Sequence, residues 1–172
     1  NGGFELLNSS ELKNYLDMSS IKIIGVTGTN GKTTTATTIY KILLNLGYKV
    51  ALQGTRGFFI NELCVEDYSL TTPVQLGNFI NIQKAIQNSC QYFVMEVSSH
   101  AIEQNRIEGL DFALKIHTNI TRDHLDYHKT IEEYIRVKNL FLSDESKKLI
   151  NIDDKVVKFN PINAFTYSLE NS

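Results

Sequence analysis

Ile21-Lys22-Ile23-Ile24-Gly25-Val26-Thr27-Gly28-Thr29-Asn30-Gly31-Lys32-Thr33-Thr34 sets a short β-branched run against a glycine-rich turn that ends in Lys-Thr. Beyond it, Ala36, Ile39, Tyr40, Leu43 and Leu44 recur at helical spacing. The stretch therefore reads strand, loop, helix, the context a phosphate-binding loop requires. Glycines let backbone N–H groups turn inward toward phosphate oxygens, and the helix N-terminus adds a partial positive charge. Lys32 can reach the β- and γ-phosphates, and Thr33 can place its hydroxyl on the magnesium that neutralises them. The expected nucleotide contacts are Gly28, Thr29, Asn30, Gly31, Lys32, Thr33 and Thr34. The spacing is a variant, GTNGKT, because the first glycine of GxxxxGK[ST] would fall on Val26. A dinucleotide GxGxxG also fails, since Gly25, Gly28 and Gly31 recur every third residue. The plain alternative is a glycine-rich turn with an incidental lysine.

Working outward, Gly47 closes the first helix and Lys49–Leu52 reads as the next strand. Thr72-Pro73 opens a second helix with Thr72 as N-cap, Pro73 at its first position, and Leu76, Phe79, Ile80 and Ile86 on one face. Tyr92–Val97 is a continuous apolar strand broken only by Glu96, and Phe112, Leu114 and Ile116 alternate in another. Thr130 with Glu133 makes a capping-box pattern before a helix whose apolar face runs through Ile131, Tyr134, Ile135 and Leu142. Lys148–Ile152 and Ala164–Tyr167 are late strands. Strands alternating with helices predict an α/β fold, a mostly parallel sheet with helices on both faces. Residues 1–20 read as a linker or the remnant of a preceding domain, and 21–172 as one domain that is incomplete at its C-terminal end.

The 172 residues, 42% hydrophobic and 21% charged, suit one domain with a buried core. A net charge of -2 and a pI near 6.1 leave no basic field to draw nucleic acid or anionic membrane, so any phosphate site is local. Cys64 and Cys90 form no CxxC, which fits a reducing cytoplasm, and a monomer is expected. No apolar run approaches the roughly 18–20 residues that span a bilayer, and Asn1-Gly2-Gly3 does not start a signal peptide.

Three segments add chemistry. Glu96 puts a carboxylate at the carboxyl end of a parallel strand, where ligands bind. A buried glutamate is costly unless paired, so a cation partner is the natural explanation, and a hydrogen bond to neighbouring backbone is the other. Asn119-Ile120-Thr121-Arg122-Asp123-His124-Leu125-Asp126-Tyr127-His128 concentrates carboxylates and imidazoles in a loop, consistent with metal or phosphate chemistry, a zinc site, or an ordinary surface loop. Lys138 lies four residues after Tyr134 and seven after Ile131, on the inward face of its helix, where its amine either snorkels to solvent or is used.

Thr27–Thr34, TGTNGKTT, resembles the ATP loop of the Mur ligase and folylpolyglutamate synthase superfamily. Thr71-Thr72-Pro73, Glu96-Val97-Ser98-Ser99-His100-Ala101 continuing to Gln104 and Arg106, DHLDYH at 123–128, and Tyr134…Lys138-Asn139-Leu140-Phe141 are similar to segments of the MurE-type members. The resemblance spans about residues 21–154. It implies the P-loop NTPase-like central domain of an ATP-dependent ligase that adds the third amino acid to UDP-MurNAc-L-Ala-D-Glu through an acyl phosphate, in peptidoglycan synthesis.

By that resemblance Thr33, Glu96, His124 and a carbamylated Lys138 would hold magnesium, with Asp123 in support. Lys32, His124 and Lys138 would be catalytic, and Thr71, Thr72, Ser98, Gln104 and Arg106 would hold the UDP-muropeptide. Ala101 stands where the family has glycine, a small departure. Carbamylation needs a lysine depressed in pKa by its surroundings. A folylpolyglutamate synthase would share the ATP loop but not the other segments. A GTPase would show DxxG and NKxD, and neither occurs. A kinase or a nucleotide-binding module without ligase activity is the remaining alternative. The domains that would bind uridine and select the third amino acid are missing, so negligible ligase turnover is expected of these residues alone.

Overall fold

The computed structural model describes residues 11, 16–67, 70–121 and 130–170. After a 3-10 turn at Met18–Ser20, the chain runs β1 Lys22–Thr27, α1 Lys32–Asn45, β2 Val50–Gly54, β3 Gly57–Ile60, β4 Leu63–Glu66, α2 Gln75–Gln87 and β5 Tyr92–Val97. It continues α3 Ser99–Glu103, β6 Phe112–His117, α4 Ile131–Leu140, β7 Lys148–Asn151 and β8 Ala164–Tyr167. These strands form one sheet, ordered β4-β3-β2-β5-β1-β6-β7-β8. From β2 to β8 all neighbours are parallel, as the alternating pattern predicts.

The central strand β1 is buried on both faces. Ile24 and Val26 pack with Ala36 and Tyr40 of α1, while Ile23 packs in the larger cluster with Phe79 and Ile82 of α2 and Val137 of α4. Helices therefore cover both faces, and Met18 joins the second cluster. Gly47, at φ 85, turns the chain out of α1 and lets Tyr48 N–H bond Leu43 O at 3.1 Å.

Two elements depart from the expected pattern. β3 and β4 form an antiparallel hairpin on β2, closed by Asn61 and Glu62 at φ 45 and 78, the geometry of a type I′ turn. α2 begins at Gln75 with Val74 as N-cap, so Thr72 does not cap it and Pro73 does not open it. The Thr72 hydroxyl is instead drawn to the end of β5, where it donates to Glu96 O at 2.9 Å and accepts from Ser98 N–H at 3.2 Å.

The buried face of α2 is also shifted. Leu76 and Ile80 are 61% and 47% exposed, while Asn78, Phe79, Asn81, Ile82 and Ala85 are buried. Two asparagines can face inward because Gln53 on β2 satisfies them. Its Nε2 donates to Asn78 Oδ1 at 2.8 Å and its Oε1 accepts from Asn81 Nδ2 at 2.9 Å. α4 begins as expected, with Thr130 Oγ1 accepting from Glu133 N–H at 3.2 Å. Its inward face carries Tyr134, Val137 and Lys138, with Ile131 and Ile135 only partly buried.

Candidate active site

The carboxyl ends of β1, β2, β5 and β6 converge on the loop 28–31 that joins β1 to α1. Gly31, at φ 83, leads into α1, and Lys32 is that helix's first residue. The Lys32 ammonium donates to Gly28 O and Thr29 O, both at 2.8 Å. Gly28 has φ 151 and touches Thr118 so closely that a Cβ there would stand 1.8 Å from Thr118 Oγ1. Only glycine fits.

At the second residue of the helix, the Thr33 hydroxyl donates to Glu96 Oε2 at 2.9 Å. Glu96 is 2% exposed and is compensated by hydrogen bonds rather than by a cation side chain. Oε1 accepts from Thr55 N–H at 2.9 Å and Oε2 also accepts from Thr55 Oγ1 at 3.3 Å. The hydrogen-bond explanation offered by the sequence is thus met at this carboxylate by the Thr55 amide, and a hydroxyl and a carboxylate oxygen 2.9 Å apart form a hard-oxygen edge of the kind magnesium takes alongside phosphates. Among the described residues no cluster of three or more acidic, histidine or cysteine side chains stands ready as a closed metal cage. A phosphate-supported magnesium site does not need one.

Thr55 was not signalled by the sequence. It extends the chain of oxygens by meeting Thr71 Oγ1 at 3.1 Å, so Thr33, Glu96, Thr55 and Thr71 form one connected row. Thr72, Ser98, Gln104 and Arg106 close the same corner. Arg106 Nη1 donates to Thr72 O at 2.8 Å, and its Nε and Nη2 grip Gln104 Oε1 at 2.9 and 2.5 Å. Asn78 Nδ2 donates to Arg106 O at 2.7 Å, which ties the α2 amide network to the site. Ser98 is the N-cap of α3, accepting from Ala101 N–H at 3.1 Å, a short helix the sequence pattern did not reveal.

Lys138 does not snorkel. It is 1% exposed, and its ammonium crosses 110 residues of sequence to donate to Gly28 O at 2.7 Å, with Thr27 Oγ1 at 3.4 Å. Lys32 and Lys138 therefore meet at one carbonyl. Both line a cavity of about 260 Å³ together with Leu70, Thr71, Ser98, Ser99, His100 and Arg106. This concentration of cationic side chains suits a polyanion. His124 and Asp123 lie outside the described residues.

The model of the Mur ligase middle domain matches residues 26–172. The chain belongs to the Mur ligase family. Among relatives of this middle domain, a protein of Helicobacter pylori (strain J99 / ATCC 700824) named UDP-N-acetylmuramoyl-L-alanyl-D-glutamate--2,6-diaminopimelate ligase is 57% identical over 165 residues. The alignment covers 96% of this chain and 37% of that protein. A Wolinella succinogenes protein of the same name is 58% identical over 164 residues, covering 95% and 38%. The chain thus spans a little over a third of the length of these relatives.

A solved structure of a ligase of that name superposes with a TM-score of 0.80 at 31% identity, covering 95% of this chain and 36% of the other. E. coli FolC in complex with DHPP and ADP superposes at 0.69 with 18% identity, covering 93% and 45%, a likeness of fold alone.

Proposed function

We propose that this middle domain serves an ATP-dependent ligase that adds the third amino acid to UDP-MurNAc-L-Ala-D-Glu. The observation that carries the reading is the meeting of Thr33 and Glu96 at 2.9 Å beside a cavity lined by both Lys32 and Lys138. The γ-phosphoryl group of ATP passes to the D-glutamate carboxylate, giving an acyl phosphate, and the amine of the incoming amino acid displaces phosphate. In the two Helicobacter and Wolinella relatives the named amino acid is 2,6-diaminopimelate.

Such chemistry asks for positioning and charge neutralisation more than covalent help. The backbone of residues 28–34 cradles the phosphates. Lys32 exchanges its loop carbonyls for phosphate oxygens, and Arg106, Thr71, Thr72, Ser98 and Gln104 hold the muropeptide. Thr33, Glu96, Lys138 and His124 would hold magnesium, which when bound neutralises the phosphate oxygens.

Lys138 enters that set as a carbamate. Its ammonium first gives up a proton, the neutral amine nitrogen then bonds to the carbon of carbon dioxide, a second proton leaves, and an anion replaces a cation. The exchange removes the repulsion between two ammonium groups that share Gly28 O.

The reading places the reaction in the cytoplasm, with ATP. It agrees with two free cysteines, of which Cys90 is buried and pushed up to about 11 by that burial. Among the described residues, no helix is long and apolar enough to cross a membrane.

Calorimetric titration with magnesium and a nonhydrolysable ATP analogue tests the loop, with Lys32→Ala as control. Equal affinity in both proteins contradicts the reading. Intact-mass spectrometry under carbon dioxide tests the carbamate, which should vanish in Lys138→Met.

A further inference from the structure

The loop 28–31 does not hold its own shape. Thr29 N–H donates to Asn119 O at 2.7 Å, and Asn30 N–H donates to Asn119 Oδ1 at 3.0 Å. Asn30 O accepts from Thr118 Oγ1 at 2.7 Å and from Asn119 Nδ2 at 3.1 Å, while Thr121 N–H donates to Thr29 Oγ1 at 2.9 Å. Thr118 also fills the space that a side chain at Gly28 would need. Residues 118–121 are thus the mould of the phosphate loop, and they follow β6 with no regular structure of their own.

What holds the mould is the end of β7 and the turn after it. Asp154 Oδ2 accepts from Ile120 N–H at 2.5 Å, Asp154 Oδ1 accepts from Val156 N–H at 3.2 Å, and Asn151 Nδ2 donates to Thr118 O at 2.9 Å. The Asp154 side chain is only 7% exposed, a costly place for a carboxylate unless its oxygens are used. Its second neighbour is His117, fully buried at the end of β6, with Nε2 3.2 Å from Asp154 Oδ2 but not aligned as a hydrogen bond. Burial pushes this imidazole down to about 4, so at neutral pH it is an uncharged neighbour and leaves the carboxylate charge to the Ile120 amide.

We propose that Asp154 is a positioning residue of the nucleotide site, fixing residues 118–121 and through them the loop 28–31. Asp154 does not line the cavity shared by Lys32 and Lys138. Its effect passes through Ile120 and Thr118 to the amides of Thr29 and Asn30. The inference rests on the reading of that loop as the nucleotide site.

The test is titration of this chain with magnesium and a nonhydrolysable ATP analogue, alongside thermal melting and amide hydrogen exchange. Asp154→Ala should raise Kd about tenfold, the scale of one lost hydrogen bond to a charged group. Exchange should accelerate at Ile120, Thr121 and Thr29 while β2 and β5 stay protected. Asp154→Asn keeps an acceptor for Ile120 N–H and should bind within about twofold of wild type. Asp144→Ala, which removes the Lys115 partner elsewhere along β6, should lower the melting temperature without changing Kd.

Wild-type Kd in Asp154→Ala overturns the proposal. So does Asp154→Asn as weak as Asp154→Ala, or equal weakening by Asp144→Ala. Should Asp154→Ala fail to fold, Asn151→Ala, which frees Thr118 O, carries the same expectation, and wild-type binding by it is equally fatal. A wild-type chain that binds, with Lys32→Ala weakened and Asp154→Ala unchanged, removes this inference alone. No binding by wild type removes the nucleotide reading as well.

Discussion

Alanine at position 54 would place its Cβ 2.1 Å from Glu96 Oε1 and 2.8 Å from Glu96 Cδ. Gly54 ends β2 without a positive φ, so the backbone itself accepts alanine and gains about 0.4–1 kcal/mol from a stiffer unfolded chain. The carboxylate cannot stay. Swinging it away sacrifices bonds from Thr55 N–H, Thr55 Oγ1 and Thr33 Oγ1, each worth about 1.5–3 kcal/mol at a charged acceptor. With one or two of the three lost, the expected net destabilisation is about 0.5–5.5 kcal/mol.

Denaturant unfolding of wild type, Gly54→Ala, Glu96→Ala and the double variant measures it as a cycle. In the Glu96→Ala background Gly54→Ala should instead stabilise by the about 0.4–1 kcal/mol of the stiffer unfolded chain, because the obstructing atoms are gone. Magnesium-dependent affinity for the ATP analogue should fall in Gly54→Ala although the loop 28–34 is untouched. Equal cost of Gly54→Ala in both backgrounds would refute the claim that the glycine exists to admit the Glu96 carboxylate.

Three further outcomes are expected. Gly28→Ala, strained at φ 151 and colliding with Thr118 Oγ1, should abolish binding of the ATP analogue and cost about 1–3 kcal/mol in melting experiments. His117, depressed by burial to about 4 from an unfolded value of about 6.5, makes the folded state bind fewer protons between those values. Stability should therefore be fully present above about pH 6.5 and decline by about 3 kcal/mol as pH falls through 4, a slope that His117→Gln should flatten. Thr130→Ala should cost about 1 kcal/mol by uncapping α4, read from denaturant midpoints, with Thr130→Ser close to wild type.

Strands whose signal is local were legible. β1, β5, β6, β7 and β8 announce themselves by β-branched or alternating runs, and α1 and α4 by apolar spacing with a glycine stop or a threonine cap. The hairpin β3–β4 escaped because its turn, Asn61-Glu62, lacks the glycine that usually marks such a turn. The face of α2 was misjudged because periodicity counts apolar residues, whereas Gln53 makes Asn78 and Asn81 the residues worth burying. Thr55 gave no signal at all. Its role exists only because β2 and β5 are neighbours in the sheet.

The order of residues from Ile21 to Thr34 was enough to determine a glycine-rich loop between strand and helix, the context a phosphate loop requires, since glycine freedom, a lysine and a helix N-terminus are all local properties. Folding alone decided that Lys138 would leave solvent for Gly28 O, that Glu96 would find Thr33 and Thr55, and that residues 118–121 and Asp154 would shape the loop. These contacts join residues 34 to 110 positions apart, and their partners are chosen by strand order and by which buried polar atom still needs one.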